Sequence, residues 1–147
     1  MTKELRVLIA YESDEFRKFL RMNVANRYQT IDLDFINNSS SFLWEIDKRD
    51  SDLAISDVVV PDMYGLDILR KIRNEGNDVP LYLFTISDTF RREAMECGAT
   101  GVLEKDPHRG EFEYHINDSR VVQVIGLLDK YLAAKRGSVN GNGIADG

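Results

Sequence analysis

The stretch from Leu53 to Leu69 limits the folds open to this chain more than any other segment. It begins as a short apolar run that ends at Asp57, meets Pro61 four residues later, and resumes after Gly65 with the apolar spacing of a helix. Proline lacks an amide hydrogen and disfavours helix at the preceding residue, so the segment predicts a buried strand, a loop and a helix. Asp57 would then end a strand at the sheet edge where ligands bind in open α/β folds. The simpler interpretation is that Asp57 only caps a turn.

The same alternation of strand and helix continues along the chain. Apolar runs predict strands at 5–10, 31–35, 53–57, 81–85 and 101–104. Helical patterns follow each of them, beginning near Ser13, Ser39, Leu66, Asp88 and Asp118. Five strands alternating with five helices predict an α/β fold with a five-stranded parallel sheet, doubly wound, with helices on both faces. Trp44 is expected to pack within the second helix.

The length and the end of the chain predict one domain. The 147 residues are enough to bury a core, and the last helix is expected to end near Lys135 to Gly137. We therefore predict one domain over residues 1–136 and a flexible tail over 137–147, where glycine and asparagine are frequent and packing residues are few. The segment 106–117 is polar, has no clear period and predicts a long loop.

Charge and hydrophobicity exclude several functions. The net charge of −6 argues against direct nucleic-acid binding, because phosphate contacts need a basic surface. No apolar run approaches the roughly 20 residues of a spanning helix, and the amino end lacks the apolar core of a signal peptide. We therefore expect a cytoplasmic protein with no membrane contact. Cys97 is the single cysteine, which excludes an internal disulfide.

Four polar side chains follow the predicted strands. Glu12, Asp57, Thr85 and Lys105 stand at or just after the carboxyl ends of strands one, three, four and five. Two neighbouring carboxylates repel unless a cation lies between them, and Mg²⁺ prefers oxygen ligands. Asp57 beside such a metal could attack a phosphoryl group, while Thr85 and Lys105 could bind its oxygens. The four groups together predict phosphoryl chemistry.

With these landmarks in this order, residues 4–135 resemble the receiver domain of two-component response regulators, which has a flavodoxin-like fold. The resemblance implies that Asp57 is the phosphoacceptor, that Thr85 is the switch hydroxyl and that Lys105 contacts the phosphoryl group. It further implies that Mg²⁺ is bound by Glu12, Asp57 and the backbone carbonyl of Val59.

The resemblance also implies partners. A histidine kinase or a phosphotransfer protein would donate the phosphoryl group, and an unnamed downstream protein would recognise the changed surface. That surface surrounds the fourth helix, the fifth strand and the fifth helix, the face through which a homodimer would also form. The protein would signal, and we do not class it as a metabolic enzyme.

The chain departs from the family pattern at three positions. Tyr11 stands where the family has the first of two acids, and Glu12 is one methylene longer than the usual aspartate. Val102 replaces the switch aromatic of the fifth strand. Asp106 separates Lys105 from a proline that usually follows it directly.

These departures keep an alternative function open. The chain could be a pseudo-receiver, a protein interaction module that works without phosphorylation and whose charged cluster is a structural remnant. A flavodoxin-like cofactor enzyme is the third hypothesis, but the acidic segment after the first strand would repel a phosphate, and a glycine-rich phosphate loop is missing there.

Overall fold

A computed structural model gives the fold of the chain, and it describes residues 3–11, 13–60, 62–85, 87–105 and 119–140. The strands are β1 (Leu5–Ala10), β2 (Ile31–Ile36), β3 (Leu53–Asp57), β4 (Val59–Val60), β5 (Met63–Tyr64), β6 (Leu81–Thr85) and β7 (Gly101–Glu104). The helices are α1 (Asp14–Arg27), α2 (Ser39–Asp47), α3 (Gly65–Asn74), α4 (Asp88–Glu96) and α5 (Ser119–Asn140).

Five of the strands form one parallel sheet in the order β2, β1, β3, β6, β7. Consecutive strands are therefore joined through helices, as the alternating pattern predicts. The strand β3 lies at the centre and is buried along its whole length, because sheet neighbours and helices cover it from both sides. This placement brings Asp57 to the middle of the carboxyl edge.

Two hydrophobic clusters cover the two faces of the sheet. Alternate residues of β1 divide between them: Leu5, Val7 and Ile9 pack with α1 and α5, while Leu8 and Ala10 pack with α2, α3 and α4. The two faces correspond to the predicted doubly wound architecture. The fold class predicted from the sequence is confirmed.

Local capping explains where the helices begin. The side chain of Ser13 accepts a hydrogen bond from the Phe16 amide and starts α1, as predicted, with Asp14 and Glu15 in the first turn. Ser87 caps α4 in the same way. The cap of α2 is Asn38, whose side chain accepts from the Ser41 amide.

Two local predictions need correction, and one feature of the structure was not predicted. The helix α5 continues to Asn140, whereas we expected it to end near Gly137. Trp44 does not pack inside; it is 64% exposed, and the Lys48 ammonium lies 4.0 Å from its ring centroid. The sequence also gave no sign of the antiparallel pair of β4 and β5.

Some predictions fall outside the described residues. The loop 106–117 and residues 141–147 of the expected tail are among them, so the division into residues 1–136 and 137–147 stays a prediction. Within the described part of the chain, no helix is both long enough and apolar enough to cross a membrane.

Candidate functional site

Asp57 ends β3, and one oxygen of its carboxylate is held by neighbouring groups. Its side chain is 10% exposed, and the Lys105 ammonium lies 2.6 Å from its Oδ1 atom. The amide of Val58 donates to the same oxygen at 2.7 Å. The other oxygen, Oδ2, makes no hydrogen bond to the residues that the structure describes. Among the described residues, one carboxylate oxygen is therefore anchored and the second has no partner.

Lys105 reaches Asp57 because its backbone is tied to the neighbouring strand. It follows β7, and its amide donates to the carbonyl of Thr85 at 3.0 Å. The strands β6 and β7 thus end at the same level of the sheet, and the long side chain crosses from β7 to the end of β3. The sequence placed Asp57, Thr85 and Lys105 at one edge, and the structure brings them together there.

The hydroxyl of Thr85 is turned towards α4 in this structure. It accepts a hydrogen bond from the Ser87 amide at 3.2 Å and donates to the Ser87 carbonyl at 3.5 Å. Ser87 in turn accepts from the Phe90 amide at 3.1 Å. Thr85 is buried, and its hydroxyl contacts the backbone of Ser87, the residue that caps α4.

Tyr11 occupies the end of β1, where the resemblance leads one to expect an acid. Its ring is 5% exposed and lies 4.4 Å from the ring of Phe16 and 5.4 Å from that of Phe84, between centroids. Arg120 donates from Nη1 to the Tyr11 hydroxyl at 2.9 Å. Tyr11 therefore brings an aromatic face to the site instead of a charge.

Gly65 allows the first turn of α3 to approach the strand that carries Asp57. Its amide donates to the Val58 carbonyl at 2.7 Å. A Cβ atom at this position would lie 2.9 Å from the carbonyl oxygens of both Asp57 and Val58, closer than side chains tolerate. The glycine that marked the loop in the sequence is thus required by close packing.

A pocket of about 290 Å³ opens beside the site. The rings of Tyr64 and Phe90 form part of its wall and meet edge to face, with centroids 5.8 Å apart. The pocket is lined by Val58, Tyr64, Thr85, Ser87, Thr89, Phe90, Glu93 and Lys105. Sequence reasoning did not identify Tyr64, Phe90 or Arg120, because their contacts to the site are tertiary.

Some of the residues predicted to bind Mg²⁺ lie within the described part of the chain. The Oδ2 atom of Asp57, which has no hydrogen bond to the described residues, is a hard oxygen donor, and the Val59 backbone lies two residues further on in β4. Glu12 lies outside the described residues, so the second predicted carboxylate is not located. Within those residues, no group of three or more histidine, cysteine or acidic side chains could hold a metal. Mg²⁺ commonly binds through one or two carboxylates and keeps several waters, so the donors present suit it.

Comparison with known proteins agrees with this architecture. The sequence matches the response regulator receiver domain family over residues 7–117, well over half of the chain. A doubly wound parallel sheet with an acid and a lysine at its carboxyl edge is thus the framework of a signalling receiver. The chain belongs to the response regulator receiver domain family, the receivers of two-component systems.

The curated relatives are distant, as two of them illustrate. The chain is 33% identical over 80 residues to the probable transcriptional regulatory protein TcrX of Mycobacterium tuberculosis, covering 54% of this chain and 34% of TcrX. It is 23% identical over 115 residues to the two-component response regulator PhoP of Pseudomonas aeruginosa, covering 77% of this chain and 50% of PhoP. The chain thus spans half or less of the length of these two relatives.

Solved structures share the fold. The receiver domain of the Francisella response regulator 1452 matches with a TM-score of 0.70 and 17% identity, covering 88% of this chain and 98% of that domain. The chemotaxis response regulator CheY4 of Vibrio cholerae matches with a TM-score of 0.66 and 19% identity, covering 86% and 98% respectively.

Proposed function

We propose that this receiver domain accepts a phosphoryl group on Asp57 and signals through the surface that changes as a result. The observation that supports this most directly is the state of the Asp57 carboxylate. Its Oδ1 is held by Lys105 at 2.6 Å and by the Val58 amide at 2.7 Å, while Oδ2 has no hydrogen bond to the described residues. A carboxylate that is positioned through one oxygen and open at the other is suited to nucleophilic attack.

In the proposed reaction, Oδ2 of Asp57 attacks the phosphorus of a phosphohistidine on a histidine kinase or a phosphotransfer protein. A phosphorus–oxygen bond forms and the phosphorus–nitrogen bond breaks, so the histidine leaves with the electron pair and takes up a proton. Lys105 can then move from Oδ1 to a phosphoryl oxygen, because a dianion attracts the ammonium more strongly than a carboxylate does.

Mg²⁺ is the proposed cofactor. Asp57, Glu12 and the backbone carbonyl of Val59 would hold it, and it would neutralise charge on the phosphoryl oxygens. The Lys105 ammonium already lies beside Asp57 as its ion-pair partner, so it would offset a further part of the phosphoryl charge.

Thr85 is the proposed link to the surface. The phosphoryl group would carry roughly −1.5 to −2 charges in place of the single negative charge of the Asp57 carboxylate, and its oxygens would attract the Thr85 hydroxyl away from Ser87. Because Ser87 caps α4, the change would reach the face made by α4, β7 and α5. A downstream protein, or a second copy of the chain, would bind that face.

Intact mass measured after incubation with acetyl phosphate and Mg²⁺ tests the proposal. We expect the wild type to gain one phosphoryl group and Asp57→Asn to gain none. Asp62→Asn serves as a matched control, because Asp62 is an exposed acid in the turn that follows the site. A gain that persists in Asp57→Asn would overturn the assignment of Asp57.

A second candidate function is a pseudo-receiver that binds its partner without phosphorylation. The observation that favours it is Tyr11, which is buried and bonded to Arg120 where an acid would otherwise attract a metal. A folded wild type that gains no phosphoryl group in the same experiment would support this function instead. A partner that binds wild type and Asp57→Asn equally well would support it further.

A further inference from the structure

Lys105 needs more than one contact to hold its ammonium at Asp57. A lysine side chain has four flexible methylene groups, and its strongly hydrated ammonium imposes little direction by itself. Here the side chain is 26% exposed, so water can compete for it. Among the described residues, the Nζ atom has two partners: Asp57 Oδ1 at 2.6 Å and the ring of Tyr11, whose centroid lies 5.5 Å away. That distance is within the range of a cation–π contact.

The ring of Tyr11 is held firmly enough to serve as a fixed contact. Phe16 lies against it at 4.4 Å with the rings tilted by 33°, and Phe84 meets it nearly at a right angle. The Arg120 guanidinium holds the hydroxyl end at 2.9 Å. With 5% of its surface exposed, the ring has little room to turn.

The electrostatics of an aromatic ring differ from those of an acid at the same place. A ring attracts an ammonium through its quadrupole and leaves the positive charge of the ammonium intact. A carboxylate at position 11 would attract Lys105 away from Asp57 and neutralise much of its charge. Tyr11 therefore restrains the ammonium and leaves its charge available for phosphoryl oxygens.

We propose that Tyr11 is a positioning residue for Lys105, which it restrains through its ring face beside Asp57. The expected effect on the phosphorylation rate rests on the proposed function of Asp57 as phosphoryl acceptor. The restraint of the Lys105 ammonium by the Tyr11 ring does not depend on phosphorylation. In this proposal Tyr11 acts through Lys105 and takes no direct part in the transfer. Tyr11 follows β1 and Lys105 follows β7, and their contact replaces the one that an acid at position 11 would make with the lysine.

The first experiment measures the restraint directly. The ammonium protons of a lysine are seen in ¹H–¹⁵N spectra when the group is held and exchanges slowly with water, and Lys105→Arg identifies the signal by its loss. We expect the Lys105 signal in the wild type and in Tyr11→Phe, and its loss by exchange broadening in Tyr11→Leu. A signal that survives unchanged in Tyr11→Leu would overturn the proposal.

The second experiment measures the consequence. We expect Tyr11→Leu to lower the initial rate of phosphorylation by acetyl phosphate by about 10-fold to 100-fold, because a displaced Lys105 no longer meets the transferred group. Tyr11→Phe keeps the ring and should restore most of the rate. If Tyr11→Phe is as slow as Tyr11→Leu, the ring face is not the restraint and the proposal fails.

Phe42→Leu controls for a general loss of stability. Phe42 is fully buried in the cluster on the opposite face of the sheet, among α2 and α3. It should lower the unfolding temperature and leave the rate near that of the wild type. An equal loss of rate in Phe42→Leu would attribute the effect of Tyr11→Leu to destabilisation and overturn the proposal.

The two experiments distinguish phosphoryl acceptance on Asp57 from the restraint of Lys105 by Tyr11. If the wild type takes up no phosphoryl group, phosphoryl acceptance fails, while the Lys105 signal still decides whether Tyr11 restrains the ammonium. If the wild type is phosphorylated and Tyr11→Leu and Tyr11→Phe react at the same rate as the wild type, phosphoryl acceptance stands. The role of Tyr11 in positioning Lys105 for the transfer is then refuted.

Discussion

The hydrogen atom that serves as the side chain of Gly65 determines how closely α3 can approach the acidic strand. The carbonyl oxygens of Asp57 and Val58 surround the position that a Cβ atom would take, at 2.9 Å each. Both oxygens belong to backbone and cannot rotate away. Any larger residue must therefore move either the helix or the peptide that presents Asp57.

We predict that Gly65→Ala lowers the free energy of unfolding by about 1–3 kcal/mol, the usual cost of overpacking. Urea denaturation measures it. Gly126→Ala is a matched control, because Gly126 lies exposed in α5 and a Cβ there would meet nothing within 4 Å. Alanine favours helix over glycine, so the control should gain about 0.5–1 kcal/mol. Equal effects at the two sites would contradict the close approach.

At the scale of elements, Asn77 joins parts of the chain that are not neighbours in sequence. Its side-chain amide donates to the carbonyl of Ile46 in α2 at 3.1 Å. Its side-chain oxygen accepts from the amide of Val79 at 3.0 Å, just before β6. Asn77 is buried, so the Val79 amide depends on it in place of water, whereas the Ile46 carbonyl also accepts from the Arg49 amide at 3.0 Å.

We predict that Asn77→Ala costs about 1–3 kcal/mol of stability, because it leaves the buried Val79 amide without its acceptor and removes one of the hydrogen bonds that the Ile46 carbonyl accepts. Chemical denaturation measures the loss. Asn74→Ala is the control: Asn74 ends α3, lies exposed, and should change stability by less than about 0.5 kcal/mol. A small effect at Asn77 would mean that water replaces its hydrogen bonds.

Another feature at this scale is the extension of α5. The helix continues through Gly137 to Asn140, although glycine often ends a helix. Contacts further back hold the helix against the sheet: Lys135 pairs with Asp52 at 2.9 Å and Arg136 pairs with Glu4 at 2.8 Å. Local propensity alone predicted an earlier end.

At the scale of the whole molecule, Glu4 connects the first strand to the last helix. Hydrogen bonds from the Arg136 guanidinium and the Thr30 hydroxyl lower the pKa of Glu4 from 4.5 to about 2. A carboxyl group whose pKa is lowered in the folded state stabilises the fold at pH values above its pKa in the unfolded state. That contribution is present above pH 4.5 and is lost as the pH falls towards 2.

We predict that Glu4→Gln loses less stability than the wild type when the pH falls from 4.5 to about 2. Urea midpoints measured across this interval test it. Arg136→Met should flatten the same interval in the same way, and the double variant should add little more. High salt should weaken the effect, because the pair is exposed. Parallel curves for wild type and Glu4→Gln would refute the prediction.

The sequence alone determined the architecture and much of the site. Alternating apolar runs and helical spacing are local patterns, and the parallel order that they imply placed Asp57, Thr85 and Lys105 at one sheet edge, where the structure has them. Ser13 signalled a helix start because capping depends on neighbours three residues away, whereas the start of α4 was predicted near Asp88 without identifying its cap, Ser87. The roles of Asp57, Glu12, Val59, Thr85 and Lys105 in phosphoryl transfer and metal binding stay predictions.

Tertiary structure decided what depends on distant residues. Tyr11 could be read from the sequence only as a missing acid; its ring contact with Lys105 and its bond to Arg120 join residues far apart in the chain. Trp44 was expected to pack and is exposed, because a residue's surroundings depend on which helix face meets the sheet. Apolar periodicity indicates which side of a helix faces the core. The burial of one particular side chain follows from the packing of all its neighbours.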